Sequence, residues 1–226
     1  MTWNPACSAI EPLYADDTLL VFDKPSGLLA VPGRGPDKQD CLAARVQARY
    51  PDALVVHRLD MATSGLMVMA RGAAVQRALS RAFAAREVGK RYIAVVAGRL
   101  DAPPQDWGVP ENWGIIDLPI IVDWPNRPLR IVDHTRGKPS LTRWRVLGND
   151  DETGASTRIE LEPVTGRSHQ LRVHLRELGH PILGDMLYAP PEVQALSGRL
   201  LLHAWSLGFV HPLSGQRLAF ECPAPF

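Results

Sequence analysis

The apolar segments of this chain are short, and several follow one another across turns too brief to hold a helical crossover. Parallel neighbours need a crossover of about a dozen residues or more, whereas antiparallel neighbours are joined by a tight turn. Thr18–Phe22 reads as a buried strand that ends at Lys24-Pro25-Ser26-Gly27, a turn signal. Leu66–Ala70, Tyr92–Ala97, Thr157–Glu162, Leu200–Ala204, Gly208–His211 and Arg217–Phe220 read as further strands. Leu141–Leu147 alternates, with Thr142, Trp144 and Val146 on one face and Arg143 and Arg145 on the other. Helical patterns are fewer. Asp40 is positioned to cap a helix in which Leu42, Val46 and Tyr50 recur before Pro51 stops it. Ala73–Arg86 is an Ala-rich helix with Val75, Leu79 and Phe83 on one side. A third helix follows Thr165-Gly166, with Ser168 as its cap, Leu171, His174, Leu175 and Leu178 on its buried side, and Gly179 where a terminating glycine belongs. The expectation is an α+β fold, a mainly antiparallel mixed β-sheet flanked by helices and loops. Prolines and glycines are spread throughout with no linker-like tract, so residues 1–226 are predicted to form a single domain. The Pro/Gly/Trp-rich stretch 101–114 is expected to be a surface loop or insertion.

Composition excludes several classes. At 46% hydrophobic and 22% charged, the chain is neither disordered nor fibrous. Cys7, Cys41 and Cys222 lie far apart with no CxxC pair, which argues against a disulfide framework or a structural zinc site and fits a reducing cytoplasm. No basic-then-apolar leader opens the sequence, and no apolar run approaches the ~20 residues of a membrane span, so a soluble cytoplasmic protein without membrane contact is expected. Net charge is +1, but its distribution is uneven. Arg58, Arg71, Arg77, Arg81, Arg86, Lys90 and Arg91 fall in one stretch; Arg127, Arg130, Arg136, Lys138, Arg143 and Arg145 fall in another. If these share a face they form a positive track for phosphates; otherwise they are an ordinary solvated surface.

The segment richest in chemistry is His57-Arg58-Leu59-Asp60-Met61-Ala62-Thr63-Ser64-Gly65, which leads into an apolar strand. It places a carboxylate and a guanidinium between a loop and a strand, with hydroxyls able to fix the turn. Read by itself, Asp60 is either a site carboxylate or a loop acid capping nearby amides. A kinase catalytic loop is excluded by the intervening Leu59 and the missing Gly-rich loop. No nucleophile elbow accompanies Ser64. His169, His174 and His180 lack metalloprotease spacing, and a helical His174 is more simply a satisfied core residue. The glycines of Pro32-Gly33-Arg34-Gly35-Pro36 lack the Gly-Lys-Ser/Thr of a P-loop.

HRLDMATSG resembles the signature of the RluA-type pseudouridine synthases. Lys24-Pro25-Ser26-Gly27-Leu28-Leu29 with Val31-Pro32-Gly33, Gly166-Arg167-Ser168-His169-Gln170-Leu171-Arg172, Gly179-His180-Pro181-Ile182-Leu183-Gly184-Asp185 and Leu200-Leu201-Leu202-His203-Ala204 resemble further blocks of the family in the same order. Asp60-Met61-Ala62-Thr63-Ser64-Gly65 and Asp123-Trp124-Pro125-Asn126-Arg127-Pro128 resemble the subgroup that modifies both rRNA and tRNA. The resemblance implies the pseudouridine synthase fold, a catalytic domain without an S4-like RNA-binding domain, and conversion of uridine to pseudouridine in RNA hairpin loops. The implied substrates are 23S rRNA and the tRNA anticodon stem-loop. No cofactor, no metal and no obligatory protein partner is implied, and the protein is expected to be a monomer. Asp60 takes the role of the essential carboxylate and Arg167 that of the cation which keeps it ionised. Tyr92 is the tyrosine against the target uracil, Arg58 the residue filling the gap left by the flipped nucleotide, and Leu202 the leucine on the other face of the base. His57, with Thr63 and Ser64, supports the substrate-binding loop, and Arg127, Arg130 and Lys138 are candidate phosphate contacts. The chain departs from the family at 101–114, with Trp107 and Trp113, and at Gly72.

Overall fold

The computed structural model describes residues 10–103, 110–149 and 155–226, so Trp107 lies outside the described residues. The chain divides into two compact units, Met1–Gly89 with Ala204–Ala224, and Lys90–His203 with Pro225–Phe226.

The first unit contains β1 (Tyr14–Ala15), β2 (Leu19–Lys24), α1 (Leu42–Gln47), β3 (Ala53–Val55), β4 (Ser64–Arg71) and α2 (Ala73–Ala84). Strand order is β1–β2–β4, with β3 also on β4, and every ladder is antiparallel. Leu19 pairs with Ala70 and Lys24 with Gly65, which brings the Lys24 turn against the start of β4. Both faces of β2 and β4 are buried, hence their nearly continuous apolar runs. On one face Leu19, Val21, Leu66, Val68 and Ala70 pack with Val75 and Leu79 of α2. The helix starts differ from the sequence expectation. Cys41, not Asp40, caps α1, its Sγ accepting the Ala44 N–H at 3.3 Å. Asp40 instead receives a two-pronged 2.7 Å contact from Arg45, and a guanidinium outcompetes a single amide for that carboxylate. Tyr50 lies past the end of α1, and Arg86 leaves the helical pattern with φ 63°.

The second unit contains β5 (Gly89–Ala97), β6 (Gly114–Asp117), β7 (Ile120–Val122), β8 (Arg130–Val132), β9 (Leu141–Asn149), β10 (Ser156–Pro163), α3 (Gln170–Glu177) and α4 (Pro191–Gln194). Its strands run in the order β5–β10–β9–β6, again antiparallel, while β7 and β8 form a separate hairpin. The alternation in β9 holds: Thr142 and Trp144 are buried, while Arg143 and Arg145 face Glu162 and Glu160 directly across from them on β10. Ser168 does not cap α3. The residue at the cap is His169, in the left-handed region at φ 60°, with no side-chain cap. The Gln170 side chain turns back instead, and its Oε1 accepts the Arg167 N–H and the Thr165 hydroxyl. Gly179, at φ 87°, ends the helix as expected.

Two C-terminal strands were expected where one continuous strand, β11 (Leu202–Val210), is found; it pairs with β12 (Arg217–Glu221). No breaker separates the two halves, and Gly208 sits in the ladder opposite Ala219. The architecture is α+β, with few helices on antiparallel strands.

Candidate active site

In the first unit, loop 56–63 between β3 and β4 carries His57, Arg58 and Asp60. The chain here is tied down from both sides. His57 Nε2 accepts the Val68 N–H at 3.0 Å, and the imidazole stacks on Phe83 of α2 with centroids 4.5 Å apart. Leu59 is buried, Arg58 is exposed, and Asp60 is half-buried. Thr63 N–H closes a turn onto Asp60 O at 3.1 Å. Across from this turn, the Lys24-Pro25-Ser26-Gly27 segment supplies a clamp. Gly27 N–H donates to Met61 O at 2.8 Å and Ser26 Oγ to Ala62 O at 2.7 Å. Lys24, with 0% exposure, sends its ammonium to Pro25 O and Leu28 O at 2.8 Å and to Met61 O at 3.2 Å. Gly65 follows at φ 113°, where an added Cβ would meet Ala204 O at 2.3 Å, so only glycine fits. The acid-bearing loop is thus fixed at its backbone. Sequence reading took Lys24 and Ser26 as a turn and missed the clamp.

In the second unit, Tyr92 lies half-buried on β5 opposite Leu161 of β10. Leu202 is buried at the head of β11, and the preceding Leu201 O accepts the Val95 N–H at 3.2 Å. Arg167 is exposed in the turn before α3, with its Nε and Nη2 each 3.4 Å from Pro139 O. That turn is held by Gln170, whose Nε2 donates to Leu141 O and Thr142 Oγ1, both at 3.0 Å. The neighbouring His169 receives the Tyr188 hydroxyl at Nδ1, 2.5 Å away. His180 Nδ1–H donates to Ala97 O at 2.8 Å and His174 is buried in the core, so both rings are engaged within the fold.

The proposed positive track needs correction. Arg145 reaches Glu160 at 2.6 Å, Arg91 reaches Glu160 and Glu162, Arg143 reaches Glu162, Arg136 reaches Asp133, and Arg71 reaches Asp52. Acids that look separate along the chain are brought opposite these cations by strand pairing. Trp113 is 5% exposed and sandwiched near Arg91 and Arg145, 4.6 and 5.0 Å from the ring centroid, so this part of the 101–114 stretch belongs to the core. Among the described residues, Arg58, Arg77, Arg81, Arg86, Arg127, Arg130 and Lys138 keep no carboxylate partner. Of these, Arg130 spends one nitrogen on Pro128 O and Leu129 O, whereas Arg127 and Lys138 are exposed. Chemistry by an ionised thiol is disfavoured: burial first, then Asp23, pushes the Cys222 thiol up to about 11.

The α+β fold thus carries a clamped carboxylate loop and, among the described residues, several cations that no carboxylate neutralises. A family model described as RNA pseudouridylate synthase matches residues 18–177. A Yersinia pestis protein named dual-specificity RNA pseudouridine synthase RluA is 50% identical over 214 residues, 95% of this chain and 98% of that one. Its namesake from Escherichia coli K12 is 49% identical over 215 residues, 95% and 93% of the two chains. The solved structure of human RNA pseudouridylate synthase domain containing 1 superposes with a TM-score of 0.76 at 28% identity, covering 96% of this chain and 84% of that one. The chain belongs to the RNA pseudouridylate synthase family: it is an isomerase that converts uridine in RNA to pseudouridine. Among the described residues, no helix is long and apolar enough to cross a membrane.

Proposed function

We propose that this synthase has dual specificity, modifying a hairpin-loop uridine of 23S rRNA and a uridine of the tRNA anticodon stem-loop. It does so as a cytoplasmic monomer with a single catalytic domain. The observation that carries this reading is the 50% identity, over 95% of the chain, to a relative named for dual specificity.

The reaction breaks the N1–C1′ bond, turns the uracil, joins C5 to C1′, and moves the C5 proton so that N1 regains one. It is an isomerisation, so its atoms and electrons balance without an oxidant, a phosphate donor or a metal. Lifting the target base from its stack costs a few kcal/mol, less in a loop than in a duplex. Arg58, exposed beside Asp60 and without a carboxylate partner, supports a role in filling the vacated position. Asp60 acts as the essential carboxylate, and the Lys24 and Ser26 clamp on Met61 O and Ala62 O supports its fixed presentation. Arg167 is assigned the role of the catalytic cation; the Gln170 staple supports its placement on a rigid turn. Tyr92 lies against the uracil and handles the C5 proton, Leu202 packs on the base, and His57 supports the loop. Arg127, Arg130 and Lys138 contact phosphates.

Incubating the protein with transcribed tRNA and with a 23S rRNA hairpin, then mapping pseudouridine chemically, tests the specificity. Product at one uridine in each RNA is expected. Product in only one of them overturns dual specificity and leaves the isomerase in place.

A further inference from the structure

Trp124 stands at the tip of the β7–β8 hairpin with 64% of its surface exposed, an unusual position for the largest apolar side chain. The Arg127 guanidinium lies over the indole, 4.6 Å from the ring centroid. The nearest acid in sequence does not neutralise that charge. Asp123 is spent on Asn126, accepting its Nδ2 at 3.0 Å and its backbone N–H at 3.4 Å. No carboxylate pairs with the Arg127 guanidinium among the described residues, and the tip is tied by its own hydrogen bonds. Leu129 N–H closes onto Asn126 O at 3.0 Å, and Asp123 N–H onto Leu129 O at 3.1 Å. Its base is anchored, since Arg130 N–H donates to the buried Tyr188 hydroxyl at 3.0 Å and Ile120 packs with Val173 and Tyr188. A ring and a guanidinium held in fixed positions lose little conformational freedom when a ligand arrives.

We propose that Trp124 and Arg127 form a stacking subsite for an unpaired nucleobase of the substrate RNA outside the target uridine, with the indole against the base and the guanidinium beside its phosphate. The inference rests on the reading that the RNA is taken as a hairpin with unpaired loop bases. Every base has a π face, so the subsite tolerates different sequences and serves two RNA substrates equally. This is what a dual-specificity enzyme requires from contacts away from its target.

The test compares the wild-type protein, Trp124→Ala and Trp124→Phe on transcribed tRNA and a 23S rRNA hairpin, measuring Kd, KM, kcat and the salt dependence of binding. Trp124→Ala is expected to raise Kd and KM about tenfold for both RNAs, with the loss falling in KM rather than kcat. Its salt slope should match the wild type, because stacking releases no counterions. Trp124→Phe should recover most of the affinity. Thermal melts of both variants separate this loss from unfolding of the hairpin. Affinity unchanged in Trp124→Ala, while the wild-type protein still modifies the RNA, overturns the subsite, leaves the isomerase reading standing, and assigns the exposed ring to a protein partner. An equal loss in Trp124→Phe also overturns the stacking account. Failure of the wild-type protein to bind either RNA overturns both readings.

Discussion

Lys24 shows how much a single buried residue can decide. An ammonium has three donors, and here Pro25 O, Leu28 O and Met61 O are there to receive them. Two of these carbonyls lie in the Lys24 turn and the third lies beside Asp60, so the side chain ties two loops together. Lys24→Met keeps the length but removes every donor, taking the ammonium from Pro25 O and Leu28 O and leaving Met61 O with only the Gly27 N–H, at a cost of about 3 kcal/mol in unfolding free energy. It should also lower kcat at least tenfold at temperatures where the variant is still folded, because the loop is no longer fixed; denaturant melts and turnover on tRNA check both. Unchanged stability and turnover would show that the clamp is dispensable. The sequence pointed to Asp60, Arg58 and His57 because they share one short signature. It hid Lys24, because a lysine after a strand reads as solvated, and its burial depends on a loop 37 residues away.

At the scale of elements, strands were easier to read than helix ends. Strand registers follow apolar runs that local composition displays. Caps depend on competition between side chains: Arg45 took Asp40 away from α1, and α3 starts at His169 with no side-chain cap while Gln170 staples the turn before it. The same competition seats α3 on β9. His174, 0% exposed, lies between Leu118 O at 3.0 Å and Thr142 Oγ1 at 2.9 Å. Nε2–H therefore donates to the carbonyl and Nδ1 accepts the threonine hydroxyl, a pattern only the neutral ring can make. Burial holds the His174 pKa below its ordinary 6.5. The unfolded chain thus binds the proton more readily, so the contribution of His174 to stability is complete above about pH 6.5 and is lost as pH falls below it. Unfolding free energy should drop by up to about 1.4 kcal/mol per pH unit across that window, and His174→Gln should flatten the decline. An identical pH profile in the variant would remove His174 from the account.

For the whole molecule, the family and the α+β class were legible because motifs in a fixed order run along most of the chain. The charge pattern was not. A near-neutral total with two basic stretches left a phosphate track and an ordinary solvated surface both open, and Glu160 and Glu162 neutralise the β9 arginines through a ladder that only folding creates. What remains positive is local, at Arg58 beside the carboxylate loop and at Arg127 and Lys138 near the hairpin. The two-unit division was equally invisible, since the chain returns from Ala204 to complete the unit that it began. The proposed chemistry is assigned to one carboxylate, Asp60. The most direct test is single-turnover conversion of transcribed tRNA by Asp60→Asn, with RNA binding measured in parallel. Binding at about the wild-type affinity with no pseudouridine formed is the predicted result; pseudouridine appearing at the wild-type rate would contradict the assignment.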